Sequence, residues 1–198
     1  MPPRRAHWRI ASLLLLSAAA SLCLAAPPQS KPKGRAKPRI ADPAVIDPQG
    51  YRELLERYRG KPLLVNFWAT WCQPCHEEYP MVVALARQYA PQGLVVLGIS
   101  FDEDAEINLV RHFLERHQPP FLNYRKRPGN EQAFVRAVHP RWSGTIPSTF
   151  FYARDARLIG QLVGTHSREE FENAIRALLD SAPQSVPATG ATPRPPSH

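Results

Sequence analysis

The chain has 198 residues, of which 43% are hydrophobic, and this favours one globular domain with tails over two domains. Its formal net charge is +8, but eight of the 25 Lys and Arg residues fall within residues 1–41, where no acidic residue is present. The other 17 basic residues are balanced by 17 acidic ones, so we expect no nucleic-acid-binding face on the domain and no nucleic-acid partner.

The first 26 residues have the pattern of a secretory signal peptide: a basic start, MPPRRAHWR, precedes the apolar run IASLLLLSAAASLCLAA. The small residues at its end predict cleavage after Ala25 or Ala26. An uncleaved N-terminal anchor is the alternative, because the run is marginally long enough to span a bilayer. In both cases we expect the domain to lie in the periplasm or another extracytoplasmic space, and only a retained N-terminal segment would bind a membrane.

Residues 27–41 are rich in Pro, Lys and Arg, which is typical of an extended basic linker. Residues 183–198 are rich in Pro, Ala and Ser and have no apolar periodicity, so a disordered tail is predicted there. Between these segments we expect one domain, residues 42–182.

The first half of this domain alternates between helix-like and strand-like patterns. DPQGYRELLERYRG is predicted to be a helix capped by Asp47, and the apolar run PLLVNFWA to be a strand buried on both faces. Residues 74–89 have helical spacing, and LVVLGIS is a second apolar strand.

The second half adds further elements. Asp102 or Asp104 is expected to cap the next helix, and the short strand FLNYRK and the short helix EQAFVRAV follow it. STFFYA and LIGQLVG are predicted to form a hairpin, and Ser167 and Glu170 to form the capping box of a last helix. This order predicts an α/β fold in which helices flank a central mixed β-sheet on both faces.

Two cysteines, Cys72 and Cys75, lie between the first predicted strand and the next helix, and they are the only cysteines left once a signal peptide is removed. A structural disulfide across so short a loop would stabilise the fold little. A structural zinc site would need about four ligands, and the sequence has no second CxxC or His pair to supply them. A reactive pair is therefore expected, with no bound metal and no cofactor.

The position of the pair predicts what each cysteine does. The free N–H groups and the dipole at a helix N-terminus stabilise a thiolate, so Cys72 is expected to be a nucleophile. Cys75, three residues later in the first turn, can reach the first sulfur and resolve a mixed disulfide. Pro74 has no N–H to lose and fits this turn. Such a CxxC after a strand predicts a thioredoxin-like redox motif.

The block VNFWATWCQPC resembles the active-site motif of the thioredoxin superfamily, and the resemblance covers the whole predicted domain. The chain is most similar to the TlpA/ResA-like extracytoplasmic thiol-disulfide oxidoreductases. A signal peptide precedes the domain, Asn66 replaces the buried Asp of cytoplasmic thioredoxins, and an inserted stretch at about 119–142 precedes GTIPSTFF. The resemblance implies a thioredoxin-like fold, a redox-active disulfide in which Cys72 attacks and Cys75 resolves, and a cis-proline at Pro147.

The resemblance also implies that the two residues between the cysteines lie in a substrate groove, together with residues beside them and before the cis-proline: Trp71, Gln73, Pro74 and Ile146. The proton of Cys75 needs an acceptor, and Asn66 cannot titrate. Glu78 lies three residues after Cys75 on the same helix face, and the TlpA/ResA-like branch carries a glutamate at this place. The alternative is that Glu78, like Glu77, is a solvated helix charge.

The expected activity is that of a thiol-disulfide oxidoreductase that reduces protein disulfides, with cytochrome c maturation and metal-site assembly among the roles the resemblance implies. Its expected partners are disulfide-bearing protein substrates and a membrane thiol electron donor. Two alternatives stay open: an oxidase that donates its disulfide, since the residues between the cysteines do not settle the direction, and a copper chaperone that binds through its thiolates. A thioredoxin-fold peroxidase is disfavoured, because no Pro- and Thr-flanked cysteine precedes the helix.

Overall fold

The structure is a computed structural model that describes residues 41–181. The predicted signal peptide or anchor, the predicted linker up to residue 40 and the predicted tail lie outside the described residues. Within residues 41–181, no helix is long and apolar enough to cross a membrane.

The described part of the chain alternates strands and helices. The strands are β1 (Ala44–Ile46), β2 (Leu63–Trp68), β3 (Val95–Ser100), β4 (Leu122–Lys126), β5 (Ser148–Tyr152) and β6 (Leu158–Val163). The α-helices are α1 (Pro48–Arg57), α2 (Gln73–Tyr89), α3 (Ile107–His117), α4 (Glu131–Val138) and α5 (Arg168–Asp180). Short 3₁₀ turns lie at Ala90–Gln92 and Asp104–Glu106.

The strands form one mixed sheet in the order β1-β4-β3-β2-β5-β6. The first four strands in this order pair in parallel, whereas β5 is antiparallel to both β2 and β6. Parallel neighbours require a crossover, which α2 provides between β2 and β3. The α/β class, the mixed sheet and the β5–β6 hairpin predicted from the sequence are confirmed.

Helices cover both faces of the sheet, and neighbouring residues of β2 show how. Every residue of β2 is buried, and successive side chains of a strand point to opposite faces. Phe67 packs against Tyr51 of α1, with ring centroids 6.1 Å apart, and against Phe134 of α4 at 6.5 Å. On the other face, Trp68 stacks on Phe113 of α3 at 4.3 Å. The central strand is thus fixed on both faces, which gives its C-terminal end a rigid base.

Two features of the fold differ from the sequence prediction or extend it. The edge strand β1 was not predicted, because three residues are too few to show an alternating pattern. The stretch at 119–142 is an integral part of the fold, since it contributes β4 to the sheet and α4 to one of its faces.

The helix caps agree with the prediction at two of three places. Asp47 caps α1 and accepts from Gly50 N at 2.8 Å, and Ser167 caps α5 within a capping box. The expectation that Asp102 or Asp104 caps α3 is wrong. A 3₁₀ turn precedes α3, and the Glu106 carboxylate accepts there from Glu103 N at 2.7 Å.

Candidate active site

The two cysteines lie at the junction of β2 and α2. Cys72 is the N-cap residue of α2, and Cys75 lies in the first turn. Their Sγ atoms form a disulfide with an S–S distance of 2.07 Å. The backbone N–H of Cys75 points to the Cys72 Sγ at 3.3 Å. This N–H and the helix dipole would both stabilise a thiolate on Cys72 after reduction of the disulfide.

The two cysteines of the disulfide differ in their exposure to solvent. Cys72 is 5% exposed and Cys75 only 1%, so the predicted nucleophile is the more accessible of the two. Trp71 is 60% exposed, and Gln73 and Pro74 are exposed as well. A large aromatic side chain held in solvent beside a reactive cysteine is well suited to contact with a protein substrate.

The peptide bond between Ile146 and Pro147 is cis, as the sequence resemblance implied. Pro147 is buried and Ile146 is half-buried. The next residue, Ser148, pairs with Phe67 of β2. The cis bond therefore lies at the end of the sheet where β2 leads into the cysteine loop.

Glu78 lies on α2 one turn after Cys75 and is 4% exposed, so the alternative of a solvated charge is wrong. Burial raises the pKa of Glu78 from 4.5 to about 7. Two weak hydrogen bonds oppose this shift. His166 N donates to Glu78 Oε2 at 3.4 Å, and Asn66 Nδ2 donates to Oε1 at 3.5 Å. A carboxyl group with this pKa can take up or release a proton near neutral pH.

Asn66 links Glu78 to the sheet. Its Nδ2 also donates to Thr149 Oγ1 of β5 at 3.0 Å. Its Oδ1 is buried and has no hydrogen-bond partner among residues 41–181. Asn66 therefore brings a neutral amide to Glu78, and its one long hydrogen bond offsets the effect of burial on the Glu78 pKa only in part.

The loop before Cys72 is held by a buried carboxylate that sequence reasoning assigned to a helix cap. Asp102 is fully buried after β3, and both of its oxygens accept from Thr70 N at 3.0 Å. The hydroxyl groups of Thr70 and Ser100 also donate to it. The carbonyl of Thr70 accepts from His76 Nε2 at 2.7 Å. Thr70 is thus fixed from both sides, two residues before the nucleophile.

A signal for Asp102 was present in the sequence. An acidic residue that directly follows a buried parallel strand lies at the carboxyl edge of the sheet, where functional loops gather. Because β2 and β3 are parallel neighbours in register, their C-terminal ends lie side by side. Asp102 consequently reaches the β2–α2 loop and not the N-terminus of α3.

No group of three or more His, Cys, Asp or Glu side chains in residues 41–181 could hold a metal ion. His76, the histidine next to Cys75, uses its ring to bond Thr70 and to pack on Phe113 at 5.0 Å. The described site is therefore a dithiol–disulfide pair with a neighbouring acid.

Comparison with known proteins agrees with this geometry. The sequence profile of the AhpC/TSA family matches residues 39–159, which include β1 to β5 and both cysteines. The chain belongs to the AhpC/TSA family of thioredoxin-like proteins.

Two relatives of this AhpC/TSA protein cover different shares of the chain. The thiol-disulfide oxidoreductase ResA of Bacillus thuringiensis (strain Al Hakam) is 25% identical over 182 residues, which is 90% of this chain and 99% of the relative. The thiol:disulfide interchange protein DsbE of Pseudomonas fluorescens biotype C is 33% identical over 128 residues, which is 63% of this chain and 66% of the relative.

Solved structures show the same fold. A thiol:disulfide interchange protein of the thioredoxin family from Chlorobium tepidum TLS matches with a TM-score of 0.53 and 25% identity, over 63% of this chain and 83% of its own. A secreted disulfide oxidoreductase of Mycobacterium tuberculosis matches with a TM-score of 0.51 and 21% identity, over 62% and 86%. With its disulfide at the N-terminus of α2, this AhpC/TSA protein is a thiol-disulfide oxidoreductase of the ResA/DsbE type.

Proposed function

We propose that this enzyme reduces disulfide bonds in other proteins outside the cytoplasm, with Cys72 as the attacking and Cys75 as the resolving thiol. The observation that carries the proposal is the buried Glu78, whose pKa is about 7, one helical turn from Cys75. A reductant must remove the proton of its resolving thiol while the mixed disulfide is in place. A carboxylate that titrates near neutral pH can accept that proton.

The reaction begins with the reduced enzyme. The thiolate of Cys72 attacks one sulfur of the substrate disulfide, so that an S–S bond forms between enzyme and substrate and one substrate cysteine leaves as a thiolate. The Cys75 thiol then passes its proton to Glu78. The resulting thiolate attacks the Cys72 sulfur, releases the second substrate thiolate and forms the Cys72–Cys75 disulfide. Two electrons have passed from the enzyme to the substrate.

The surface around the disulfide supports a protein substrate. Trp71, Gln73 and Pro74, which flank Cys72 in the sequence, have exposed side chains. Ile146 is half-buried and precedes the cis peptide bond to Pro147. We propose that these residues form the substrate groove and that the backbone at Ile146 and Pro147 contacts the extended substrate chain.

The enzyme must recover its two electrons after each cycle. The sequence has one cysteine besides the reactive pair, Cys23, which lies within the predicted signal peptide. We therefore propose an external dithiol donor in the membrane. The predicted signal peptide or anchor supports an extracytoplasmic location, where oxidised substrates accumulate. Apocytochromes c and copper-site proteins are the substrate classes that we would test first.

The direction of electron flow is tested by measuring both half-reactions. Reduced enzyme is mixed with insulin, whose disulfides report on reduction, and oxidised enzyme is mixed with a reduced unfolded protein. We expect the reduced enzyme to act much faster, and Cys72→Ser to lose the activity because the nucleophile is gone. If the oxidised enzyme instead transfers its disulfide rapidly and the reduced enzyme leaves insulin intact, the enzyme is an oxidase.

A further inference from the structure

The loop between β6 and α5, residues 164–167, contacts two residues of the proposed site at once. Gly164 N donates to the carbonyl oxygen of Pro147 at 2.8 Å. Two residues later, His166 N donates to Glu78 Oε2 at 3.4 Å. A single loop therefore supplies a backbone hydrogen bond both to the cis-proline and to the buried acid.

The imidazole ring of His166 anchors this loop. Its Nδ1 lies 3.0 Å from Oε1 of Glu170 in the first turn of α5, and its Nε2 lies 3.2 Å from the carbonyl oxygen of Val163, the last residue of β6. The ring thus bridges the end of a strand and the start of a helix. The side chain of His166 is 22% exposed, whereas that of its partner Glu170 is 52% exposed, so the bridge lies at the protein surface.

The capping box of α5 does not require a histidine here. Glu170 Oε2 accepts from Ser167 N at 2.8 Å, and Ser167 Oγ accepts from Glu170 N at 3.3 Å, which completes the box. The ring of His166 binds the other oxygen of the same carboxylate. The contact is therefore an addition to the cap, and it fixes the residue whose N–H faces Glu78.

We propose that His166 is a positioning residue for Glu78: its ring holds the β6–α5 loop so that the His166 N–H meets the Glu78 carboxylate close to the cysteine pair. This inference rests on the proposed function, in which Glu78 accepts the proton of Cys75. In this proposal His166 sets the pKa of Glu78, whereas Cys72 and Cys75 form and break the disulfide bonds.

The charges around Glu78 support this assignment. Among residues 41–181, Glu78 is hydrogen-bonded to the N–H of His166 and to the neutral amide of Asn66, and the charged partner of the His166 ring is Glu170 of α5. Cys75 lies one helical turn before Glu78 on α2. The His166 N–H lowers the pKa of Glu78 against the effect of burial, and the ring adds to this whenever it is protonated. Loss of the ring should therefore raise the pKa of Glu78 and leave less carboxylate at neutral pH.

The test follows the titration of Glu78 directly, by carboxyl ¹³C NMR of the oxidised protein. The Glu78→Gln variant identifies the signal, because it lacks that carboxyl group. We expect His166→Ala to move the Glu78 midpoint upward by about half a pH unit, a fraction of what a close opposite charge can cause. The His166→Gln variant keeps a hydrogen-bonding side chain without a charge, so its Glu78 midpoint should lie between those of wild type and His166→Ala. His112→Ala, at an exposed histidine of α3, should leave the midpoint unchanged.

The pH profile of insulin reduction separates the two proposals. We expect the pH profile of insulin reduction by His166→Ala to shift to higher pH together with the Glu78 midpoint. In the Glu78→Gln variant, adding His166→Ala should leave the profile unchanged. An unchanged midpoint in both His166→Ala and His166→Gln overturns the positioning role, and His166→Gln alone decides it if the alanine variant does not fold. If His166→Ala moves the Glu78 titration midpoint but wild type and Glu78→Gln have the same pH profile of insulin reduction, Glu78 does not take part in the reaction. The positioning of Glu78 by His166 would then have no effect on catalysis.

Discussion

Glu78→Gln should make the oxidised enzyme more stable at pH 8, although it removes a residue of the active site. The native pKa of Glu78 is about 7, against an ordinary value of 4.5. The difference is roughly 2.5 pH units, and each unit corresponds to about 1.4 kcal/mol. Ionisation of buried Glu78 should thus reduce the free energy of unfolding by up to about 3 kcal/mol.

The sign of the effect follows from the raised pKa. The folded state prefers protonated Glu78, so its contribution to stability is complete below pH 4.5 and is lost as the pH rises through about 7. A glutamine cannot ionise, and its side chain has nearly the same shape as that of glutamic acid. The variant and the wild type should therefore be about equally stable at pH 4, and the variant should gain its advantage between pH 4.5 and 7.

The assay is urea unfolding of both proteins at several pH values from 4 to 8, with the disulfide intact. Glu77→Gln is the matched control, because Glu77 is the exposed neighbour on the same helix and its replacement should give no pH-dependent difference. Stability curves of wild type and Glu78→Gln that run parallel from pH 4 to 8 would refute the reasoning, because they would show that Glu78 ionises equally well in the folded and unfolded protein.

Three further predictions concern the loop, the surface and the metal alternative. Asp102→Ala should destabilise the protein by about 2–4 kcal/mol in urea unfolding, because it leaves the partly buried N–H of Thr70 without its acceptor. The variant should also reduce insulin more slowly, and a neutral result would show that the loop holds its shape without Asp102. Trp71→Ala should raise KM for a protein substrate and leave the reaction with a small disulfide unchanged, and equal loss with both would place Trp71 in the chemistry instead. Cu(I) and Zn²⁺ should bind weakly to reduced enzyme in a competition titration, because two thiolates are the soft ligands in place, and tight stoichiometric binding would revive the copper chaperone.

The central strand and helix were predictable because their residue patterns indicate burial and a helix start. β2 is a nearly continuous apolar run, interrupted by Asn66, and such a run predicts burial on both faces. α2 begins where Cys72 caps the helix and Pro74 fits its first turn. The position of Glu78 on the face of Cys75 follows from helical spacing alone. The cis peptide bond before Pro147 came from the family resemblance, since an isolated X–Pro bond is usually trans.

The residues that sequence reasoning missed act across the sheet and between elements distant in sequence. Asp102 resembled a helix cap because the helix after it was visible in the sequence, whereas its true partner, Thr70, lies 32 residues earlier. His166 bonds Glu78 through its backbone, which no side-chain pattern can reveal. Such contacts depend on strand order and register, which the local pattern of residues does not specify.

The most direct test of the account is to trap the intermediate of the first step. Reduced Cys75→Ser enzyme is mixed with insulin, and the covalent product is digested without reductant and mapped by mass spectrometry. We expect one mixed disulfide, between Cys72 and an insulin cysteine, that persists because the resolving thiol is gone, and no such product with Cys72→Ser. A stable adduct on Cys75 of the Cys72→Ser variant, together with none on Cys72 of the Cys75→Ser variant, would contradict the assignment of the attacking thiol.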